Sequence, residues 1–218
     1  MSTWLTHLRV AEKLLPQLEG VLSLPFYVGS IAPDSGRMVG DFIYLPPKDV
    51  SHWKREGVSY SQRFDDNAEF YEKFARDEQD IAKFSFYLGY YVHILTDTIY
   101  VRDIIHPFIE KHGKPFWREN ITAIRKGWYE IDFRYLAENK DFSPLAELKS
   151  VKEFTTKTLD YFAQDDVYLR IVNATELYTD TAIDPDCAFF THTPIEADAL
   201  VGNMVEEIAK ILKNKHKI

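Results

Sequence analysis

The 218-residue chain carries a net charge of -8, with 45% hydrophobic and 28% charged residues. This composition is ordinary for a soluble globular protein, and the length suffices for one core, so we expect residues 1–218 to form a single domain. The negative charge disfavours long nucleic acids as partners, because their binders gain most of their affinity through basic surfaces. A small phosphoester held by a metal ion is not excluded.

Hydrophobic periodicity in chain order predicts an all-α fold, a helical bundle without convincing alternating strands. A segment with three prolines and four glycines, 26–57, is predicted to be a long irregular loop folded over the end of the central helix. Loops of this length inside a domain are uncommon and tend to be functional. The helices are predicted at about 3–18, 65–78, 80–103, 117–135, 151–162, 167–177 and 194–213.

Cysteine content limits the kinds of metal site that the chain can build. Its only cysteine is Cys187, so a disulfide framework and a thiolate cluster are both excluded, and any metal must bind His, Asp or Glu. The amino terminus lacks the pattern of a signal peptide, and the apolar run 84–101 contains His93 and Asp97. We therefore expect a cytoplasmic protein without a transmembrane segment.

His93 and Asp97 lie four residues apart inside this apolar run. On a helix these positions share one face, so the two side chains point to the same place. A buried carboxylate is costly without a partner. A metal ion shared by the imidazole and the carboxylate would satisfy both groups.

Three more residues are candidates to join this pair, although each has a simpler local interpretation. His7 flanks the apolar stripe of the first helix, where a structural histidine is equally compatible. Asp34 follows a proline and has the pattern of a turn or helix cap. His52 is compatible with a surface loop beside a packed tryptophan. Only the set as a whole favours a metal site.

The set occurs as four short motifs in a fixed order and spacing. They are Trp4…His7, Ala32-Pro33-Asp34, Ser51-His52-Trp53 and Gly89-x3-His93-x3-Asp97. Over about the first 135 residues this series resembles the zinc-dependent phospholipase C family, which is itself similar to the S1/P1 nucleases. The resemblance implies an all-α domain of that type with a cluster of up to three zinc ions.

The resemblance also implies a role for each matching residue. Asp34, His52, His93 and Asp97 would bind one zinc ion, and His7 would bind a second, with the Asp97 carboxylate bridging the two. Asp34 would be the catalytic residue, both binding zinc and orienting or deprotonating the attacking water. One or two zinc ions are therefore expected.

The third metal site of the family departs from its pattern in this chain. Asp103 replaces a family histidine, and Trp128-x3-Asp132 replaces a His-x3-Glu pair. Asp103 and Asp132 would hold a harder ion such as Mg²⁺ or Ca²⁺, or no metal. A literal His-x3-Glu pair, His192 with Glu196, is better explained by a capping box at a helix start.

The amino terminus departs from the family as well. In secreted family members a terminal amine can bind zinc, whereas Trp4 is preceded here by three residues. The companion of His7 at the second zinc is then missing.

Two functions remain open from the sequence. The first is a metal-dependent hydrolase that acts on a small phosphoester or a lipid-like substrate with metal-activated water. The second is a degenerate, non-catalytic member that keeps a structural zinc and serves as a binding or sensing module. A di-iron carboxylate bundle is disfavoured because its Glu-x-x-His pairs are missing. The sequence does not determine the oligomeric state.

Overall fold

The computed structural model describes residues 2–40, 43–154, 159–179 and 182–216, and their fold is all-α, as predicted. One two-stranded antiparallel hairpin accompanies the helices, formed by β1 (Arg37–Gly40) and β2 (Ile43–Leu45). The helices are α1 (Trp4–Leu14), α2 (Ser23–Gly29), α3 (Lys48–Ser51), α4 (Tyr60–Phe74), α5 (Ile81–Tyr100), α6 (His106–His112), α7 (Lys114–Glu138), α8 (Ser143–Ser150), α9 (Asp166–Leu177) and α10 (Pro194–Ile211).

Helix α5 forms the centre of the core. Its start is fixed by Asp80, whose carboxylate accepts from the backbone N–H groups of Ala82 and Lys83. The apolar residues of α5 occur on all of its faces, which is the pattern of a buried helix. Helices α1, α2, α4 and α10 all contact it. No helix among the described residues is long and apolar enough to cross a bilayer.

Two glycines set the separation of α2 and α5. A Cβ atom on Gly29 would lie less than 3.0 Å from the carbonyl oxygen of Phe86, and one on Gly89 would lie less than 3.0 Å from the carbonyl oxygen of Phe26. The two backbones therefore touch, and any side chain at either glycine would force them apart. The group that lies closest to Gly89 is thus the backbone of α2.

The structure confirms the helices predicted at about 80–103, 117–135 and 194–213, and it corrects two others. Helix α10 begins at a capping box formed by Thr193 and Glu196, as expected. Helix α4 begins earlier than predicted because Ser59 and Gln62 form a second capping box. The helix predicted at 151–162 is wrong for the described residues of that range, and 155–158 lie outside the described residues. Helix α8 forms just before it instead.

The prediction of one irregular loop over 26–57 also needs correction. The segment begins inside α2, forms the β1–β2 hairpin and ends with the short helix α3. Its strands have only four and three residues, too few to show an alternating pattern in the sequence. The segment does lie against the central helix, since the hydroxyl of Tyr90 donates to the backbone carbonyl of Ser51.

We expect Gly89→Ala to lower the free energy of unfolding by about 1–3 kcal/mol, because the added methyl group overpacks the α2–α5 contact. Gly202→Ala in α10 is the matched control. A Cβ there meets nothing within 4 Å, so alanine should raise stability by up to about 1 kcal/mol through its helix propensity. Urea unfolding in the presence of a chelator measures both changes, and equal effects of the two variants would contradict the close contact.

Candidate metal centre

His93 is held in one tautomer by the end of α2. Its Nδ1 atom lies 2.8 Å from the carbonyl oxygen of Ser30, and a carbonyl only accepts, so Nδ1 carries the proton. The other ring nitrogen, Nε2, is buried and has no hydrogen-bond partner among the described residues. A buried imidazole lone pair without a donor is the arrangement expected of a metal ligand.

His52 reaches the same place from the segment after α3. Its Nδ1 atom lies 3.0 Å from the hydroxyl of Ser51, which leaves Nε2 directed at the aspartates. The next residue, Trp53, has φ 47°, a left-handed conformation that a bulky side chain rarely adopts. Its ring packs edge-on against Phe70 and Phe74, and this packing fixes the backbone beside His52.

The ligand atoms are separated by distances that suit a shared ion. His52 Nε2 lies 3.4 Å from Asp34 Oδ1 and 3.6 Å from Asp97 Oδ2. A tetrahedral zinc ion with bonds of about 2.0–2.1 Å separates its ligand atoms by about 3.3–3.4 Å. Ligand atoms within 4.8 Å of one another form two groups among the described residues, namely His7, Asp34 and His93, and His52, His93 and Asp97.

The protonation states of this cluster also suit metal binding. Burial lowers the pKa of His52 and holds that of His93 well below its usual value, so both imidazoles are neutral at pH 7. Burial alone would raise the pKa of Asp34, but the hydrogen bond from His52 and the charge of Lys48 hold it well below 3.8. Nearby positive charge and a hydrogen bond from His7 outweigh burial in the same way at Asp97. Neutral imidazoles and ionised carboxylates are the forms that bind metals.

His7 belongs to the cluster but has a second set of contacts. Its ring stacks on His93, with centroids 3.6 Å apart and planes inclined by 8°. The Nε2 atom lies 2.8 Å from the hydroxyl of Ser2, and the backbone N–H of Ser2 donates to Asp97 Oδ1 at 3.0 Å. Ser2 therefore lies between the two residues that a second ion would bridge. The Nδ1 atom of His7 is buried, and none of the residues that the structure describes forms a hydrogen bond with it.

Lys48 and Arg170 are two cations beside Asp34 that the sequence patterns did not indicate. Lys48 Nζ lies 3.2 Å from Asp34 Oδ1, and the indole of Trp4 donates to Asp34 Oδ2 at 3.1 Å. The Arg170 guanidinium stacks on the Trp4 ring, 4.4 Å from its centroid, and its buried Nε has no hydrogen-bond partner within the described ranges. Burial lowers the pKa of Arg170. Only the position of Lys48 in the long loop hinted at such a role.

The structure brings five of the seven sequence candidates together and leaves two apart. His7, Asp34, His52, His93 and Asp97 form the cluster, and Asp103 and Asp132 lie outside both groups. Asp103 is exposed and forms an ion pair with Arg102.

Asp132 is buried, and hydroxyl groups bind both of its carboxylate oxygens. Thr3 donates to Oδ1 at 3.0 Å, and Tyr178 donates to Oδ2 at 2.8 Å. Thr3 is also the N-cap of α1, whose side chain accepts from the backbone N–H of Thr6. Asp132, which replaces a family glutamate, therefore links α7 to the start of α1 through the hydroxyl of Thr3.

Trp128 is the other position at which the third metal site departs from the family, and its ring lies among other aromatic rings. The Trp128 indole donates to the hydroxyl of Thr191 at 2.8 Å, and its ring packs edge-on against Tyr100. Tyr100 also contacts the ring of His192. Burial lowers the pKa of His192 to about 4, and Glu196 closes the capping box of α10, as its sequence pattern indicated.

The all-α fold and this buried set of imidazoles and carboxylates define a helical protein with a candidate metal centre. A family model described as zinc dependent phospholipase C matches residues 6–179, and the chain therefore belongs to the zinc-dependent phospholipase C family. The match extends beyond the 135 residues over which the motifs resemble the family, through α7 and α9. Comparisons with curated proteins and with solved structures give no match.

The burial of Asp132 predicts a pH dependence of stability. Burial raises its pKa from 3.8 to about 7, despite the opposing hydrogen bonds from Tyr178 and Thr3. The folded state thus binds this proton more tightly than the unfolded chain, and stability falls as pH rises from about 4 to about 7. With a chelator present, the Asp132→Asn substitution should remove this pH-dependent part of the stability, which amounts to at most about 4 kcal/mol. Unfolding measured at pH 5 and pH 8 tests this, and an unchanged slope in the variant would contradict it.

Proposed function

We propose that the chain is a metal-dependent hydrolase of phosphoesters, similar to phospholipase C, with zinc bound by Asp34, His52, His93 and Asp97. The observation that carries the proposal is the buried Nε2 of His93, for which the described part of the chain offers no hydrogen-bond partner and whose tautomer the Ser30 carbonyl fixes. Family membership supports zinc as the metal. Zinc in such a site supplies Lewis-acid charge and lowers the pKa of water toward neutrality.

Asp34 is proposed as the residue that orients the attacking water. The hydrogen bond from Trp4 and the proximity of Lys48 keep its carboxylate in one orientation and ionised. A carboxylate with so low a pKa is a weak base, so its contribution at neutral pH is to orient the water by accepting a hydrogen bond rather than to store its proton. This favours the orienting role over deprotonation, the two roles that the sequence left open.

Lys48 and Arg170 are proposed to attract the phosphate of the substrate. Both cations lie near Asp34, and the buried N–H at Nε of Arg170 has no acceptor among the residues that the structure describes. A phosphate oxygen would accept that hydrogen bond, and guanidinium groups suit phosphate oxygens well. This would place the phosphorus beside the metal cluster with its negative charge opposed by two cations.

His7 is proposed to bind a second ion only when Ser2 moves away from it. In the described arrangement the hydroxyl and backbone N–H of Ser2 contact His7 and Asp97, the two residues that the second ion would share. These contacts also favour the alternative function, a non-catalytic module with one structural zinc. Measurement of activity separates the two functions, because both predict bound zinc and only the hydrolase predicts turnover.

We further propose that Asp103 and Asp132 bind no metal. The exposed ion pair of Asp103 and the two hydroxyl donors on Asp132 support this. A long nucleic acid remains disfavoured as a substrate because the chain carries a net charge of -8.

We expect the zinc-loaded protein to hydrolyse a soluble chromogenic phosphodiester. His93→Ala and Asp97→Asn should each lose bound zinc and lower kcat/KM by at least about 10²-fold, because each removes a metal ligand. Asp132→Asn should lower it by less than about tenfold. Steady-state rates and the zinc content of each purified variant are the measurements.

His112→Ala is the matched control, because His112 is an exposed histidine at the end of α6. Its activity and zinc content should equal those of the wild type. Equal losses from His93→Ala, Asp97→Asn and Asp132→Asn would make Asp132 a metal ligand after all. Full activity of His93→Ala would contradict the proposed catalytic centre.

A further inference from the structure

Two cations approach Asp34 from different elements of the fold. The segment Ala32–Asp34 contacts both α3 and α9. Lys48, the first residue of α3, has its Nζ atom 3.2 Å from Asp34 Oδ1. Arg170 of α9 stacks on the ring of Trp4, and the indole of Trp4 donates to Asp34 Oδ2. One cation therefore lies beside Oδ1, and the other lies behind the group that binds Oδ2.

The surroundings of the two cations show that they belong to one site. The ring of Tyr44 lies 5.4 Å from the Nζ atom of Lys48, and Tyr44 is also near enough to Arg170 for their charges to interact. Lys54, which is partly buried, is a third cation, close enough to Lys48 and Asp97 to interact with both charges. Positive charge thus accumulates around the candidate metal centre of a protein whose net charge is -8.

A bound zinc ion would leave this positive charge without a counter-ion. In the structure the carboxylate of Asp34 opposes the charge of Lys48. Imidazoles bind metals in their neutral form, so the double charge of zinc is cancelled by the carboxylates of Asp34 and Asp97. Lys48 and Arg170 then remain as two positive charges that the ligand set does not balance. An anion with two negative charges would balance them.

Phosphomonoesters and phosphodiesters differ in the two properties that such a site would recognise. A monoester carries nearly two negative charges at neutral pH and has three unsubstituted oxygens, whereas a diester carries one charge and has two such oxygens. The metal, Lys48 and Arg170 are three electropositive groups. The buried Nε of Arg170 has no acceptor in the described part of the chain, and hydrogen bonds between charged groups are the strong ones. A monoester can bind all three groups, and a diester leaves one of them unopposed.

We propose that the site prefers phosphomonoester dianions to phosphodiesters, and that Lys48 and Arg170 select for the second negative charge. The proposal rests on the proposed phosphoesterase function, whose substrate class it names, and a diester remains a slower substrate. In the reaction, the oxygen of water bonds to phosphorus and the bond from phosphorus to the ester oxygen breaks. One proton of the water goes to the leaving alcohol, and inorganic phosphate is released.

Binding of two matched ligands to the zinc-loaded protein tests this preference. At pH 8 phenylphosphonate is mostly a dianion with three unsubstituted oxygens, and its monomethyl ester is a monoanion with two. In calorimetric titrations, phenylphosphonate should bind at least about tenfold more tightly than the ester. Lys48→Met and Arg170→Gln should each lower the affinity for phenylphosphonate by about tenfold or more, and the affinity for the ester by less, because each removes a hydrogen bond between charged groups.

Lys83→Met is the matched control, because Lys83 is an exposed lysine in the first turn of α5. This variant should bind both ligands as the wild type does. The zinc content and Tm of each variant establish that the fold and the metal centre are retained. Equal affinity of the wild type for the two ligands would overturn the proposal. An affinity ratio that neither Lys48→Met nor Arg170→Gln changes would overturn it as well.

Turnover of p-nitrophenyl phosphate and of its methyl diester separates this proposal from the proposed enzyme. The kcat/KM of the monoester should exceed that of the diester, and Lys48→Met should reduce the difference. Tighter binding of phenylphosphonate without turnover of either ester would reject the enzyme and keep the selective anion site. Turnover of the diester together with equal binding of the two ligands would reject the selectivity and keep the enzyme.

Discussion

The contact between the backbones of α2 and α5 is the constraint on which the candidate metal centre depends. Gly29 and Gly89 let the helices touch, and this brings the carbonyl of Ser30 at the end of α2 to 2.8 Å from His93 Nδ1. That hydrogen bond fixes the tautomer and leaves Nε2 as a buried lone pair. The two glycines, which have no side chains, thus allow the contact that prepares His93, one turn further along α5, as a candidate metal ligand.

The remaining candidate ligands meet His93 because separate packing contacts fix their backbones. Tyr90 and Trp53 hold the segment that carries His52, and Trp4 holds the carboxylate of Asp34. These are contacts between distant parts of the chain, so the centre forms only when the bundle does. Placing neutral imidazoles beside ionised carboxylates in the interior is costly unless an ion compensates them. The burial of these groups favours a bound cation, and membership of the zinc-dependent family favours zinc.

Local patterns predicted the parts of the structure that depend on local physics. The spacing of His93 and Asp97 placed them on one helix face, and Thr193 with Glu196 marked the start of α10. The hairpin could not be predicted, because its strands are short and its apolar residues face solvent instead of alternating. Arg170 and the hydrogen bonds of Asp132 depend on residues far away in sequence, and no local pattern contains that information.

Diffraction at the zinc absorption edge, from crystals grown with zinc, tests the central claim most directly. We expect an anomalous peak about 2.0–2.2 Å from the Nε2 atoms of His52 and His93 and from carboxylate oxygens of Asp34 and Asp97. A peak confined to Asp103 or Asp132 would contradict it. So would the lack of any peak beside His93 at saturating zinc.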